Sequence, residues 1–366
     1  MTTQQQTIKT PWQRANTDWM RDAHWGVMTH YMADLPSSKE PADMTPERWN
    51  RHVDGFDVPR FVETIAGTGA GYLIFTIGQC SGYFCSPNET YDRLVGVRPS
   101  RLSQRDLVGE IAAALQKRGV RTIAYLPSTA PTKHQEAVEG LACTPEWDAS
   151  LCGLEPGTYV RRQPVDERLS EFQRNWEAVI REWSLRWGKS VSGWWIDGCY
   201  YADKMYRHAD TPNFRSFAEA MKAGNPDSLV AFNPGVLVPV ICHTECDDYT
   251  AGEANVMVTP CRYHVFDRFI DGAQFQVLSY LGDYWCYGEP RYPDALVVEY
   301  TKYINSFGGA VTWDVPINLG GTIPDVFIKQ LEAIGMGIGT ARPTDPAGAV
   351  GTAQSGRGGS PSNRRA

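Results

Sequence analysis

The chain alternates short apolar runs with longer stretches in which apolar residues recur every three or four positions. The first pattern marks strands and the second amphipathic helices. "WGVMTHYM" (25–32), "GYLIFTIG" (71–78), "VRTIAYLP" (120–127), "VSGWWIDG" (191–198), "SLVAFNPG" (228–235), "AQFQVLSYLGD" (273–283) and "AVTWDVPIN" (310–318) predict strands. They are apolar almost continuously, as strands covered on both faces must be. Helices are predicted over 57–69, 103–119, 166–188, 211–225, 293–309 and 324–339. Asp57 is placed to cap the first, with Pro59 in its opening turn, and Gly119 to close the second. A loop of roughly 40 residues separates "VRTIAYLP" from the next helix, long enough for a functional excursion. The stretch 236–271 has no clear period.

About eight strand-then-helix units in succession predict a parallel sheet closed as a (β/α)8 TIM-like barrel. The expected organisation is an N-terminal extension (1–16), one barrel domain (17–341) and a disordered Gly/Pro/Ser-rich tail (342–366). No G-x-G-x-x-G follows an early strand, which argues against a dinucleotide-binding sheet.

Composition narrows the function. With 366 residues, 42% hydrophobic and 21% charged, the chain matches a globular protein with a large core. A net charge of −7 and no basic stripe argue against nucleic acid and anionic membranes as partners. No run is long enough to span a membrane and no apolar signal core opens the chain, so a cytoplasmic location is expected. The 9 Cys include no CxxC pair, which fits free thiols. The 7 His show no ligand spacing, so neither a metal nor a cofactor is expected. Whether the protein is a homo-oligomer stays open.

In a barrel, chemistry sits at the C-terminal ends of the strands. Asp197 ends the most apolar strand and His30 ends the first. A buried carboxylate is costly unless it is bonded or it works. An Asp at a strand end, many aromatics and no metal pattern point to glycoside hydrolysis, which needs two carboxylates. Glu245, Glu253 and Glu289 are the candidate partners of Asp197. Trp285 is a candidate sugar platform, and Asp314 a substrate ligand or a structural partner. His24 and Trp25 open the first strand at the wrong barrel end and read as structural.

The segments "HWGVMTHY", "GYLIFTIGQCSGYFCSP", "DLVGEIAAALQKRGVRTIAYLPS", "GWWIDG", "YTAGEA" and "VTWDVPINLGGTIPDVFIKQLEAIG" resemble, in order, the conserved segments of the α-L-fucosidase family, glycoside hydrolase family 29. The resemblance runs over 17–340. It implies a retaining exo-glycosidase acting on an α-L-fucoside or a configurationally related sugar. Asp197 would be the nucleophile, Glu253 the acid/base and His30 a hydroxyl ligand. Gln79, Cys80 and Ser81 stand where the family has His, His and Asp, so specificity is expected to move away from fucose. Gln79 and Cys80, with Tyr125 and Trp195, complete the candidate substrate ligands. The Glu-Trp-Tyr segment after the family's first strand is not recognisable, and the expectation is a catalytic barrel without the family's C-terminal β-sandwich. The competing readings are a carbohydrate-binding barrel that has lost catalysis and an inverting hydrolase.

Overall fold

Residues 11–34, 44–143, 165–237, 240–260 and 265–341 are described by the computed structural model. The apolar runs form strands β1 (Trp25–Thr29), β2 (Tyr72–Thr76), β3 (Arg121–Pro127), β4 (Val191–Asp197), β5 (Leu229–Phe232), β8 (Gln276–Tyr280) and β9 (Ala310–Asp314), with a short hairpin of β6 (Phe269–Ile270) and β7 (Ala273–Gln274) before β8. Apart from the hairpin, they make one parallel sheet in the order β5-β4-β3-β2-β1-β9-β8. Alternate residues fall into two separate cores, as the pleat requires. Tyr72, Ile74, Ile123, Tyr125, Trp195 and Leu278 pack inside the curl of the sheet. Leu73, Phe75, Leu126, Trp194 and Ile196 pack outward with the helices. Gly26 on β1 is needed there, because a Cβ would meet the Tyr72 ring at 2.3 Å.

Among the described residues the sheet has seven strands, not the expected eight. The eighth place is taken by an irregular segment, 248–254. Toward β7 and β8 it bonds as a parallel strand would: Thr250 N donates to Gln274 O (2.9 Å), Leu278 N to Gly252 O (2.9 Å) and Ala254 N to Leu278 O (2.9 Å). Toward β5, among the described residues, the one backbone bond is Asp248 N to Val230 O (2.8 Å). Carboxylates replace the rest of that ladder. Val230 N donates to Asp248 Oδ2 (2.9 Å) and Phe232 N to Asp247 Oδ1 (2.9 Å). The two aspartates thus satisfy strand-edge amides that would otherwise be buried without partners. The result is a TIM-like curled parallel sheet, joined by backbone on one side of this segment and by side chains on the other.

Lys222 Nζ donates to Asp248 Oδ2 at 2.7 Å, and the pair is almost fully buried. Removing one partner of such a pair leaves an uncompensated charge, at a typical cost of about 3–5 kcal/mol. Lys222→Ala is therefore expected to lower the unfolding free energy by about that amount. Denaturant unfolding at neutral pH checks it, and a loss within experimental error would show that the pair does not hold the junction.

The helices follow their signals. Asp57 caps helix Val58–Gly67, accepting from Arg60 N (3.0 Å), and Asp106 caps Leu107–Lys117 through Gly109 N (3.0 Å). The predicted helices at 166–188, 211–225, 293–309 and 324–339 appear as Ser170–Trp187, Phe214–Met221, Asp294–Asn305 and Asp325–Ile338. Helices at Asp18–Ala23, Pro46–Asp54, Glu89–Val95, Gln135–Gly140 and Ala202–Met205 lay outside the sequence reading. One of them interrupts the expected loop after β3, whose remainder from 144 to 164 lies outside the described residues, as do 1–10 and the expected tail 342–366. Among the described residues, Cys80, Cys85, Cys143, Cys199, Cys242, Cys246 and Cys286 form no disulfide.

Candidate active site

The C-terminal ends of the strands converge on Asp197. Its Oδ2 accepts from the Tyr125 hydroxyl at 2.6 Å, and its Oδ1 accepts from Asn233 Nδ2 at 2.9 Å. Gln79 Nε2 lies 3.5 Å from Oδ2 and also donates to the Tyr125 hydroxyl. Register explains the convergence: Tyr125 lies two residues before the end of β3, Asp197 ends the neighbouring β4, and Asn233 follows the last residue of β5. Burial and the adjacent Asp197 carboxylate hold the Tyr125 phenol well above its usual pKa, so it remains a donor.

Asn233 Nδ2 also donates to Glu253 Oε2, at 2.6 Å. Two oxygens at 2.9 and 2.6 Å from one nitrogen cannot be farther apart than the sum of those distances. That limit falls at the separation of about 5–5.5 Å found in retaining pairs, and below the roughly 6.5–9.5 Å of inverting ones. Burial, with Asp197 close by, raises the Glu253 carboxyl to about 8. The bond from Asn233 and the proximity of His30 oppose that rise.

His30 Nδ1 lies 2.7 Å from Asp314 Oδ1, and Asp314 Oδ2 accepts from Cys286 N at 2.6 Å. Burial would lower the His30 pKa, but Asp314, Asp197 and Glu253 outweigh it and the net shift is upward. The ring stands edge-to-face between Tyr125 (5.5 Å) and Trp285 (6.1 Å). Trp285 Nε1 donates to Asn255 Oδ1 at 3.2 Å.

A family model described as alpha-L-fucosidase matches residues 43–338, most of the chain. It belongs to the alpha-L-fucosidase family. A sequence search of curated proteins finds no match. Solved structures share the fold at low identity. An endo-fucoidan hydrolase of glycoside hydrolase family 107, MfFcnA4, is 18% identical with a TM-score of 0.62, over 87% of this chain and 53% of that one. The chain thus spans about half the length of that hydrolase. The alpha-L-fucosidase AlfC from Lactobacillus casei, solved with alpha-L-fucose, is 15% identical with a TM-score of 0.56, over 89% of this chain and 100% of that one. Alpha-L-fucosidase isoenzyme 1 from Paenibacillus thiaminolyticus is 14% identical with a TM-score of 0.57, over 87% and 74%.

In this member of the alpha-L-fucosidase family, the structure brings together Asp197, Glu253, His30, Gln79, Tyr125, Trp285 and Asp314 from the sequence candidates. Cys80, next to Gln79, is half-buried, and its carbonyl accepts from Lys133 N (2.9 Å). Trp195 is 1% exposed. Its ring stacks on Tyr125 at 5.2 Å and its indole N–H donates to Ala251 O (3.0 Å), so it forms the floor under Tyr125 and not a sugar platform. Gly252 allows close approach of the backbone to Gln276, where a Cβ would come within 2.2 Å of the carbonyl oxygen. Glu245 and Glu289 are exposed, and among the described residues neither hydrogen-bonds into the network around Asp197. Glu245 instead lines a separate cavity of about 690 Å³ with Arg14, Arg207, Arg215 and His243. Trp25 is buried and bonded to Thr340, away from the site. Asn233 escaped the sequence reading, which placed it in the strand run 228–235 and gave it no role. Its position at the end of a barrel strand was the available signal.

Proposed function

We propose that the protein is a retaining exo-glycoside hydrolase acting on an α-L-fucoside or a configurationally related glycoside, with Asp197 as nucleophile and Glu253 as acid/base. The single observation that carries this reading is the Asn233 amide, which bonds both carboxylates at once and so limits the distance between their nearest oxygens to a value that suits a retaining pair. In the first step Asp197 attacks the anomeric carbon while Glu253 gives its proton to the departing glycosidic oxygen. A glycosyl ester and the free aglycone result. Glu253, now a carboxylate, takes a proton from water, and that water breaks the ester to return Asp197. The raised pKa of Glu253 suits the first role, since the acid must hold its proton near neutral pH. Tyr125 and Asn233 hold Asp197 in place, and Asp314 fixes His30 as a hydroxyl ligand beside Trp285. Small-molecule glycosides or oligosaccharides are the partners this reading implies.

Because the acid must be protonated, kcat/KM is expected to fall as pH rises through about 8. The Asn233 bond lowers the Glu253 pKa, so Asn233→Ala should move that fall to higher pH. A pH–rate profile of both proteins checks it, and a basic limb that stays put or moves down in the variant would remove Glu253 from the role.

The sugar follows from position 79 onward. A site built to bond a hydroxyl rejects analogues lacking it, since its buried groups are left unpaired. Gln79, Cys80 and Ser81 offer different donors and acceptors from His, His and Asp. An α-L-fucoside is therefore expected to be a secondary substrate in a panel of nitrophenyl glycosides that includes β-D-galactoside and α-L- and β-D-arabinosides. Hydrolysis of the fucoside far faster than all others would overturn that specificity. No turnover of any panel member or of a fucose polysaccharide would favour a binding barrel without catalysis.

A further inference from the structure

The loop after Asp197 turns through Gly198, at φ +73°, and brings Tyr200 back over the strand ends. The Tyr200 ring lies against two glycines from different loops. A Cβ on Gly235, just beyond Asn233, would stand 2.6 Å from Cε1 and 3.2 Å from Cδ1. A Cβ on Gly198 would stand 3.5 Å from Cε2 and 3.9 Å from Cζ. One glycine therefore contacts one edge of the ring and the other the opposite edge. Both have positive φ, which any side chain there would strain. Only a glycine at 235 leaves room for the ring, Gly198 lies at ordinary contact distance on its other edge, and Tyr200 is 42% exposed. A flat ring lodged between two loops and still accessible offers its face to another flat ring.

Its location says what. The polar ligands for the sugar in the cleaved position come from β1, β2 and β9, through His30, Gln79 and Asp314. Tyr200 stands on the other side, above β4 and β5, between the loops that carry Asp197 and Asn233, the residue bonded to Glu253. A proton donor must face the departing oxygen, so the group attached to that oxygen extends to this side. We propose that Tyr200 is the stacking platform for the leaving group, and that the leaving group is itself a pyranose or another flat-faced ring. This proposal rests on the assignment of Asp197 and Glu253 and adds the identity of the aglycone class.

The test compares two substrates of the same glycon: a disaccharide and the glycosyl fluoride, whose leaving group has no ring. Tyr200→Ala is expected to lower kcat/KM for the disaccharide about tenfold more than for the fluoride, the size of one aromatic contact. The loss should fall mainly on KM. Tyr200→Phe and Tyr200→Trp, which keep a ring, should restore most of the difference. In the Asp197→Ala background, titration should show the same: the preference for disaccharide over free monosaccharide disappears with Tyr200→Ala. Equal losses on both substrates, or no loss on either, would overturn the platform while leaving the hydrolase intact. Failure of the unaltered protein to cleave the fluoride or the disaccharide would overturn the hydrolase reading and the platform with it.

Discussion

Asp197→Ala is expected to lower turnover of an activated nitrophenyl glycoside about a thousandfold or more, which is about 4 kcal/mol of barrier. The fold should survive, because the side chain lies at the end of β4, in contact with Tyr125, Asn233 and Gln79 and outside both apolar cores. The space left by the carboxylate faces the anomeric carbon, so azide can enter it and form the new bond there. The product would be a glycosyl azide of inverted configuration, and its appearance by NMR separates loss of a nucleophile from loss of binding. A variant that keeps more than about a tenth of the wild-type rate loses less than about 1.4 kcal/mol and could not have lost its nucleophile.

Glu253→Ala is expected to act on a different axis. A good leaving group departs without a proton, whereas a sugar alkoxide does not. Cleavage of a natural glycoside should fall by about a hundredfold to ten-thousandfold, the usual range for a positioned acid. Formation of the glycosyl ester from a dinitrophenyl glycoside should be largely spared. Azide should then accelerate release of that ester from the face Glu253 occupied, giving an azide of retained configuration. The contrast between inverted and retained azide in the two variants places the two carboxylates on opposite faces of the sugar. Equal losses on both leaving groups, or the leaving-group pattern appearing in Glu245→Ala instead, would move the acid elsewhere.

How much of this was legible in sequence depended on what each residue owed to its neighbours along the chain. Asp197 was readable because a carboxylate at the end of an apolar strand has few purposes, and the parallel sheet put that strand end on the working face. Capped helices such as Val58–Gly67 were readable because cap and period are local. Helix Pro46–Asp54 carries a local signal too, with Thr45 as cap and Pro46 in the first turn, but its apolar positions are few. The eighth strand was misjudged for a long-range reason. Its partner on β5 is a pair of aspartate side chains, and two adjacent acids break the apolar period by which the other strands were read. Asn233 was missed likewise, since its partners Asp197 and Glu253 lie 36 and 20 positions away. Trp195 shows the converse: strand position was right, but only the structure shows that its face is spent on Tyr125.

The side-chain junction at 248–254 has a consequence for how such a protein can diverge. The nucleophile is carried by a strand laddered on both sides through its backbone, so few substitutions can shift it. Its partner carboxylate rides on a segment whose attachment to β5 is written largely in two side chains, each open to change by a single codon. A lineage can therefore slide or tilt the acid while the nucleophile stays where it is. The trajectory of the departing oxygen, and with it the linkage that is cut, is open to stepwise evolutionary adjustment without rebuilding the sheet.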